Sequence, residues 1–146
     1  MNDPYQKPRT ILIVDDNEDD YEALARAFKK VGLYGSVTLC TTGQMALDML
    51  KTQENTELPS LILLDLNMPS LDGFQVLQKL KSDERLKTIP VVIWTTSSNE
   101  KDINACYRIG VNAYMQKPVI FDQVVESVKH LKEYWFETVL LPTQGK

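Results

Sequence analysis

A chain of 146 residues, 43% hydrophobic and 25% charged, has the size and make-up of one globular domain, too apolar for a disordered chain and too mixed for a coiled coil. Its net charge of -4 speaks against a nucleic-acid surface, which needs clustered Lys and Arg to neutralise phosphates. With no run of about 18 apolar residues and no apolar core in Met1 to Arg9, neither a membrane span nor an export signal is expected, and the chain reads as cytoplasmic.

Short β-branched apolar runs alternate with stretches of helical period, the pattern of βαβ units and a parallel sheet. After a polar segment over 1–9, the first strand is expected at Thr10 to Val14. Tyr21, Leu24, Ala25 and Phe28 then recur at helical spacing, with Gly32 as a stop signal. A second strand at Ser36 to Cys40 and a helix at Gln44 to Thr52 follow. Gln53 to Ser60 is polar, contains Pro59 and reads as a solvated connection without a function.

The third strand is placed at Leu61 to Leu64 and its helix at Gly73 to Lys81. Val91 to Thr95 makes the fourth strand, followed by a helix from Glu100 to Ile109 that Gly110 ends. Ala113 to Met115 is the fifth strand, and Gln123 to Val139 the longest helix. The first, third and fourth strands are nearly continuous apolar runs, as strands covered on both faces must be. The expectation is a doubly wound α/β fold with five parallel strands, one domain over 10–137, a tail over 138–146 and no attached effector domain. Cys40 and Cys106, far apart and in no CxxC, read as reduced packing residues.

In an open parallel sheet the site lies outside the carboxyl ends of the strands. The first strand, ILIV, runs into Asp15 and Asp16, and the third, LILL, runs into Asp65-Leu66-Asn67-Met68-Pro69. One Asp after a strand is commonly a turn former or helix cap. Three carboxylates at neighbouring strand ends, without matched cations beside them in sequence, repel one another unless a hard divalent cation is present. The fourth strand ends in Thr95-Thr96, and the fifth is followed by Gln116-Lys117-Pro118. Together these groups supply what phosphoryl transfer to a carboxylate needs: metal, ammonium and hydroxyl facing the phosphoryl oxygens.

The ordered motifs VDD, LLDLNMP, VVIWTTS and YMQKP, spanning about residues 10 to 136, resemble response-regulator receiver domains. The resemblance implies a flavodoxin-like sheet of order 2-1-3-4-5. It implies Asp65 as phosphoacceptor, with Mg²⁺ (or Mn²⁺) held by Asp15, Asp16, Asp65 and the backbone carbonyl of Asn67. Thr95 would be the switch hydroxyl, Lys117 the partner of a phosphoryl oxygen, and Tyr114 the aromatic that moves inward with Thr95. The bond before Pro118 would be cis. A sensor histidine kinase would be the donor.

An Asp-nucleophile, Mg²⁺-dependent phosphatase is the enzymatic alternative, but its motif is DxD, whereas here the two acids are adjacent and Lys117-Pro118 would go unexplained. The run of acids from Asp15 to Asp20 would repel the phosphate of a flavodoxin, and no Walker loop occurs. The single histidine, His130, lies in the last helix, far from any nucleophile, so no triad is expected. A receiver that never takes phosphate is the weakest reading, because the acidic site is intact.

Val124, Val128, Leu131 and Trp135 make the core stripe of the last helix. Tyr134, Phe136, Val139, Leu140 and Leu141 are more apolar surface than one helix face buries, which predicts either a homodimer interface or a tail folded back over its own sheet. The long final helix ending in EYWFETVLLP, with the extended loop before the third strand, is similar to single-domain response regulators that partner cyanobacterial phytochromes. Val119 stands where the wider family often has a larger apolar residue. It and Trp94, beside Thr95, are expected to alter the amplitude of the switch and not its chemistry.

Overall fold

The computed structural model describes residues 9–33 and 37–142. Residues 1–8, Ser36 of the second expected strand, and the last four residues of the tail lie outside them. Strands β1 (Ile11–Val14), β2 (Val37–Cys40), β3 (Leu61–Leu64), β4 (Val91–Thr95) and β5 (Ala113–Gln116) form one parallel sheet of order β2-β1-β3-β4-β5. Helices α1 (Glu18–Lys30), α2 (Gly43–Thr52), α3 (Gly73–Ser82), α4 (Glu100–Ile109) and α5 (Phe121–Lys132) connect and follow them. Among the described residues no helix is long and apolar enough to cross a membrane.

The doubly wound form follows from alternation along the strands, where successive side chains point to opposite faces. Leu12, Val14, Ile62, Leu64, Val91 and Ile93 pack with α2, α3 and Cys106 of α4. Ile11, Ile13, Leu61, Leu63, Val92 and Trp94 pack on the other face with Leu24, Ala27 and Phe28 of α1 and Val124, Val128 and Leu131 of α5. Both cysteines are buried and free.

Each of the first four helices starts on a side chain that accepts a backbone N–H: Asn17, Thr42, Asp72 and Asn99. Gly110 closes α4 in the left-handed conformation, φ 119°, that a residue with a Cβ adopts at a cost. The connection after α2 is more than a solvated loop. It contains a 3₁₀ turn, Asn55–Glu57, and Leu58 is fully buried. The Arg85 guanidinium ties it down by donating to the carbonyls of Gln53 and Leu50 and to Asn55 Oδ1.

The last helix differs from expectation. It starts at Phe121, two residues early, and beyond Lys132 it widens into a π-helical stretch, Glu133–Thr138. There Val139 N–H donates to Tyr134 O at 3.0 Å and Thr138 Oγ1 to Glu133 O at 2.7 Å, both spanning five residues. The wider turn brings Phe136 into the core cluster that holds Leu131, where helical spacing would have put Trp135. Trp135 is only partly buried, packs against the core edge and meets Tyr134 edge-on. Arg9 braces the stretch, its guanidinium 5.5 Å from the Phe136 ring centre.

Candidate functional site

The strand order reverses at β1, which lies between β2 and β3, and Val14 pairs with Leu64, so the next residues, Asp15 and Asp65, emerge side by side. Their backbones continue the ladder: Asp15 N–H donates to Cys40 O and Asp65 N–H to Val14 O. Lys117 is fixed likewise beyond β5, its N–H donating to Thr95 O. Both acids are thus held on rigid backbone at the edge where a ligand can enter.

The two carboxylates are bonded alike. Asp15 Oδ1 accepts from Asn17 N–H at 3.0 Å and Asp65 Oδ1 from Asn67 N–H at 3.3 Å. Each Oδ2 accepts from Lys117 Nζ, at 2.8 and 3.1 Å. The third donor of the ammonium goes to Asp20 Oδ2 at 2.8 Å. Asp15, Asp65 and Lys117 are buried, whereas Asp16 is exposed.

Burial pushes the Asp15 carboxyl up to about 6, against the hydrogen bonds from Lys117 and Asn17 that pull it down. Burial alone would lower the Lys117 ammonium, but its bonds to Asp15 and Asp20 outweigh that and raise it above the ordinary lysine range. Oxygens of Asp15, Asp16 and Asp65 lie within 4.8 Å of one another, a separation that one small cation could bridge. Hard oxygen donors of this kind suit a divalent cation such as Mg²⁺.

Thr95 is fully buried, and its hydroxyl receives Asn67 Nδ2 and Ser97 N–H at 3.5 Å each. Tyr114 is partly buried and donates from its hydroxyl to Ser97 O at 2.9 Å, linking β5 to the loop after β4. Trp94, expected beside Thr95, sits on the α1 and α5 face of the sheet. Val119 is 99% exposed. The Lys117–Pro118 bond is trans, since the described residues contain no cis peptide, and the cis expectation does not hold. Trans is the lower-energy isomer, and in it Lys117 already reaches Asp15, Asp20 and Asp65.

Gly73 also shapes the site. A Cβ there would come within 2.2 Å of Asp65 O and 2.6 Å of Leu66 Cα, so only glycine lets α3 start this close to the Asp65 backbone. Asp20 is the residue that sequence reasoning missed. The signal was Asn17: as cap of α1 it accepts Asp20 N–H at 3.0 Å, which sets Asp20 in the first helical turn and in reach of Lys117.

The family model of the response regulator receiver domain matches residues 11–129. The chain belongs to the response regulator receiver family. It is 37% identical over 145 residues to response regulator Rcp1 of Synechocystis, covering 97% of this chain and 99% of that protein. To the "Probable methanogenesis regulatory protein FilR2" of Methanothrix harundinacea it is 39% identical over 132 residues, 89% of this chain and 85% of the other. The crystal structure of the phosphorylated cyanobacterial phytochrome response regulator RcpA matches at a TM-score of 0.85 and 38% identity, covering 92% of this chain and 98% of that one. The Mn²⁺-bound form of Rcp1 matches at a TM-score of 0.82, with 92% and 99% covered.

This receiver is therefore a two-component response regulator homologous to phytochrome response regulators, and the phosphatase reading is not favoured. The acid group and the Mn²⁺-bound relative together support divalent-metal binding at this edge.

The five residues expected on a dimer surface are not alike. Phe136 is 7% exposed and lies inside the core, so it is withdrawn from that surface. Tyr134 is about half exposed and Leu140 98% exposed, whereas Trp135 and Val139 are partly buried. His130 is exposed on α5.

Proposed function

We propose that Asp65 accepts a phosphoryl group from the phosphohistidine of a sensor histidine kinase, within a receiver spanning 10–137. An Asp65 oxygen attacks phosphorus, the P–N bond breaks, and the imidazole leaves with its electron pair. Water later attacks the aspartyl phosphate and releases inorganic phosphate. The chain is then a phosphoacceptor with no external substrate, and it works in the cytoplasm.

Mg²⁺ is the cation of this reading, held by Asp15, Asp16, Asp65 and the carbonyl of Asn67. Bound there, it would offset the charge that builds on the phosphoryl oxygens. Lys117 pairs with one of those oxygens, Thr95 turns to bond another, and Tyr114 follows Thr95 inward, changing the face made by α4, β5 and α5. The observation that carries the reading is the convergence of Lys117 and three strand-end acids on one edge of the sheet. The kinase is a bacterial phytochrome, an assignment that rests on the likeness to RcpA.

Intact mass tests it. Acetyl phosphate with Mg²⁺ should add one phosphoryl group to the wild type and none to Asp65→Asn or to a sample in EDTA. Continuing phosphate release without an adduct would instead return the phosphatase. A phosphorylated phytochrome kinase should be a faster donor than an unrelated histidine kinase.

The second copy in this reading is the protein itself, docked through Tyr134, Trp135, Val139 and Leu140. Leu140 is too exposed to stabilise its own fold, so Leu140→Asp should convert dimer to monomer in sedimentation while the monomer keeps the wild-type far-UV spectrum, and its melting temperature should lose the dependence on protein concentration that a dimer shows. A wild type that stays monomeric at every concentration tested would end the dimer proposal.

A further inference from the structure

Building on the phosphoacceptor reading, we propose that Asp20 is a positioning residue that competes with the incoming phosphoryl group for Lys117 and thereby limits how fast Asp65 is phosphorylated. An ammonium has three N–H donors, and all three are in use, on Asp15, Asp20 and Asp65. Lys117 therefore cannot bond a phosphoryl oxygen until one acid lets go.

Asp20 is the acid placed to yield. Asp15 and Asp65 are pinned through their backbones to neighbouring strands, and both are buried. Asp20 hangs from the first turn of α1 with 38% of its side chain exposed, so water can replace Lys117 as its partner. It is also outside the group of acids close enough to share a metal ion, so releasing it leaves that group whole. Asp20 and Lys117 share the wall of an open cleft of about 220 Å³ with Trp94 and Pro118, from which water can reach the part-exposed Asp20 carboxylate.

Two effects of Asp20 oppose each other, and their sizes differ. It helps aim Lys117, but Asp15 and Asp65 already aim it from rigid strands, so little orientation is lost without it. Its charge occupies the ammonium and repels an anionic donor at close range, and Asp20 lies outside the acid group whose charge a metal ion would neutralise directly. When Asp65 attacks acetyl phosphate, the new O–P bond forms as acetate leaves with its electron pair. Asp20 makes no bond to phosphorus and only exchanges its hydrogen bond for water.

The test is the rate of adduct growth by intact mass, with acetyl phosphate and Mg²⁺, for wild type, Asp20→Asn and Asp20→Glu at low and high salt. Asp20→Asn should react about tenfold faster than wild type. The gap should narrow in high salt, where screening weakens the repulsion. Asp20→Glu keeps the charge and should stay near the wild-type rate, and the Mg²⁺ concentration giving half the maximal rate should not move in either variant. Asp20→Asn reacting at or below the wild-type rate, while the wild type forms its adduct, would overturn the proposal and leave Asp20 a mere buttress of Lys117. If no variant and no wild type formed an adduct, the Asp65 reading itself would fail and take this one with it.

Discussion

In EDTA, Lys117→Ala should lose about 3–5 kcal/mol of stability, the usual cost of stranding one side of a buried ion pair. That corresponds to a fall of roughly 10–15 °C in Tm for a chain of this size. The side chains of Lys117 and Asp65 are each 6% exposed and that of Asp15 is 2% exposed, so the two carboxylates are left poorly solvated when the ammonium is removed. Mg²⁺ should restore most of the loss, because a doubly charged ion among Asp15, Asp16 and Asp65 relieves the same repulsion. Adduct formation should stay about a hundredfold slow even in Mg²⁺, since a cation facing the phosphoryl oxygens is missing. Denaturant melts with and without Mg²⁺ measure the first effect. Equal stability in EDTA would mean that the acids relieve one another by taking up protons. A loss that Mg²⁺ does not touch would trace to packing of the lysine stem.

The sheet and most of the site were legible because each rests on a local signal. ILIV, LILL and VVIW are apolar throughout, as strands between two helical layers must be, and Asp15, Asp65, Thr95 and Lys117 stand at or just past strand ends. The parts that could not be read depend on contacts between distant segments. Ile120 offers no side-chain cap, so nothing in the sequence marked Phe121 as the start of α5. A single wide turn then exchanged Trp135 for Phe136 in the core, and helical periodicity counts only the narrower turn. Leu58 looked like part of a polar loop because its burial depends on the loop folding onto the core beside α2 and α3, where Arg85 bonds Gln53 and the end of α2. Asp20 was one acid in a run of acids until the start of α1 fixed its direction.

Asp15→Asn should be more stable than wild type in EDTA above pH 6, by up to about 3 kcal/mol. Burial holds the Asp15 carboxyl at about 6 in the fold, against an ordinary value of 3.8. Between those two values the folded chain binds a proton that the unfolded chain has released. The stabilisation from this group is therefore full below about pH 4 and is lost as the pH rises through 6. Asparagine has no proton to lose, so the gap between variant and wild type should open across that window and be absent near pH 4. The raised value already includes the pull of Lys117, so losing the charge-assisted bond does not reverse the sign. With Mg²⁺ the ranking should invert at neutral pH, because the ion needs the carboxylate and stabilises the wild type by binding its fold alone. Stability curves that run parallel from pH 4 to 8 would show that Asp15 does not carry this cost. A gap that opens and then inverts with Mg²⁺ would show that this acid destabilises the metal-free fold and holds the cation, the trade expected where a site is kept for chemistry at the expense of stability.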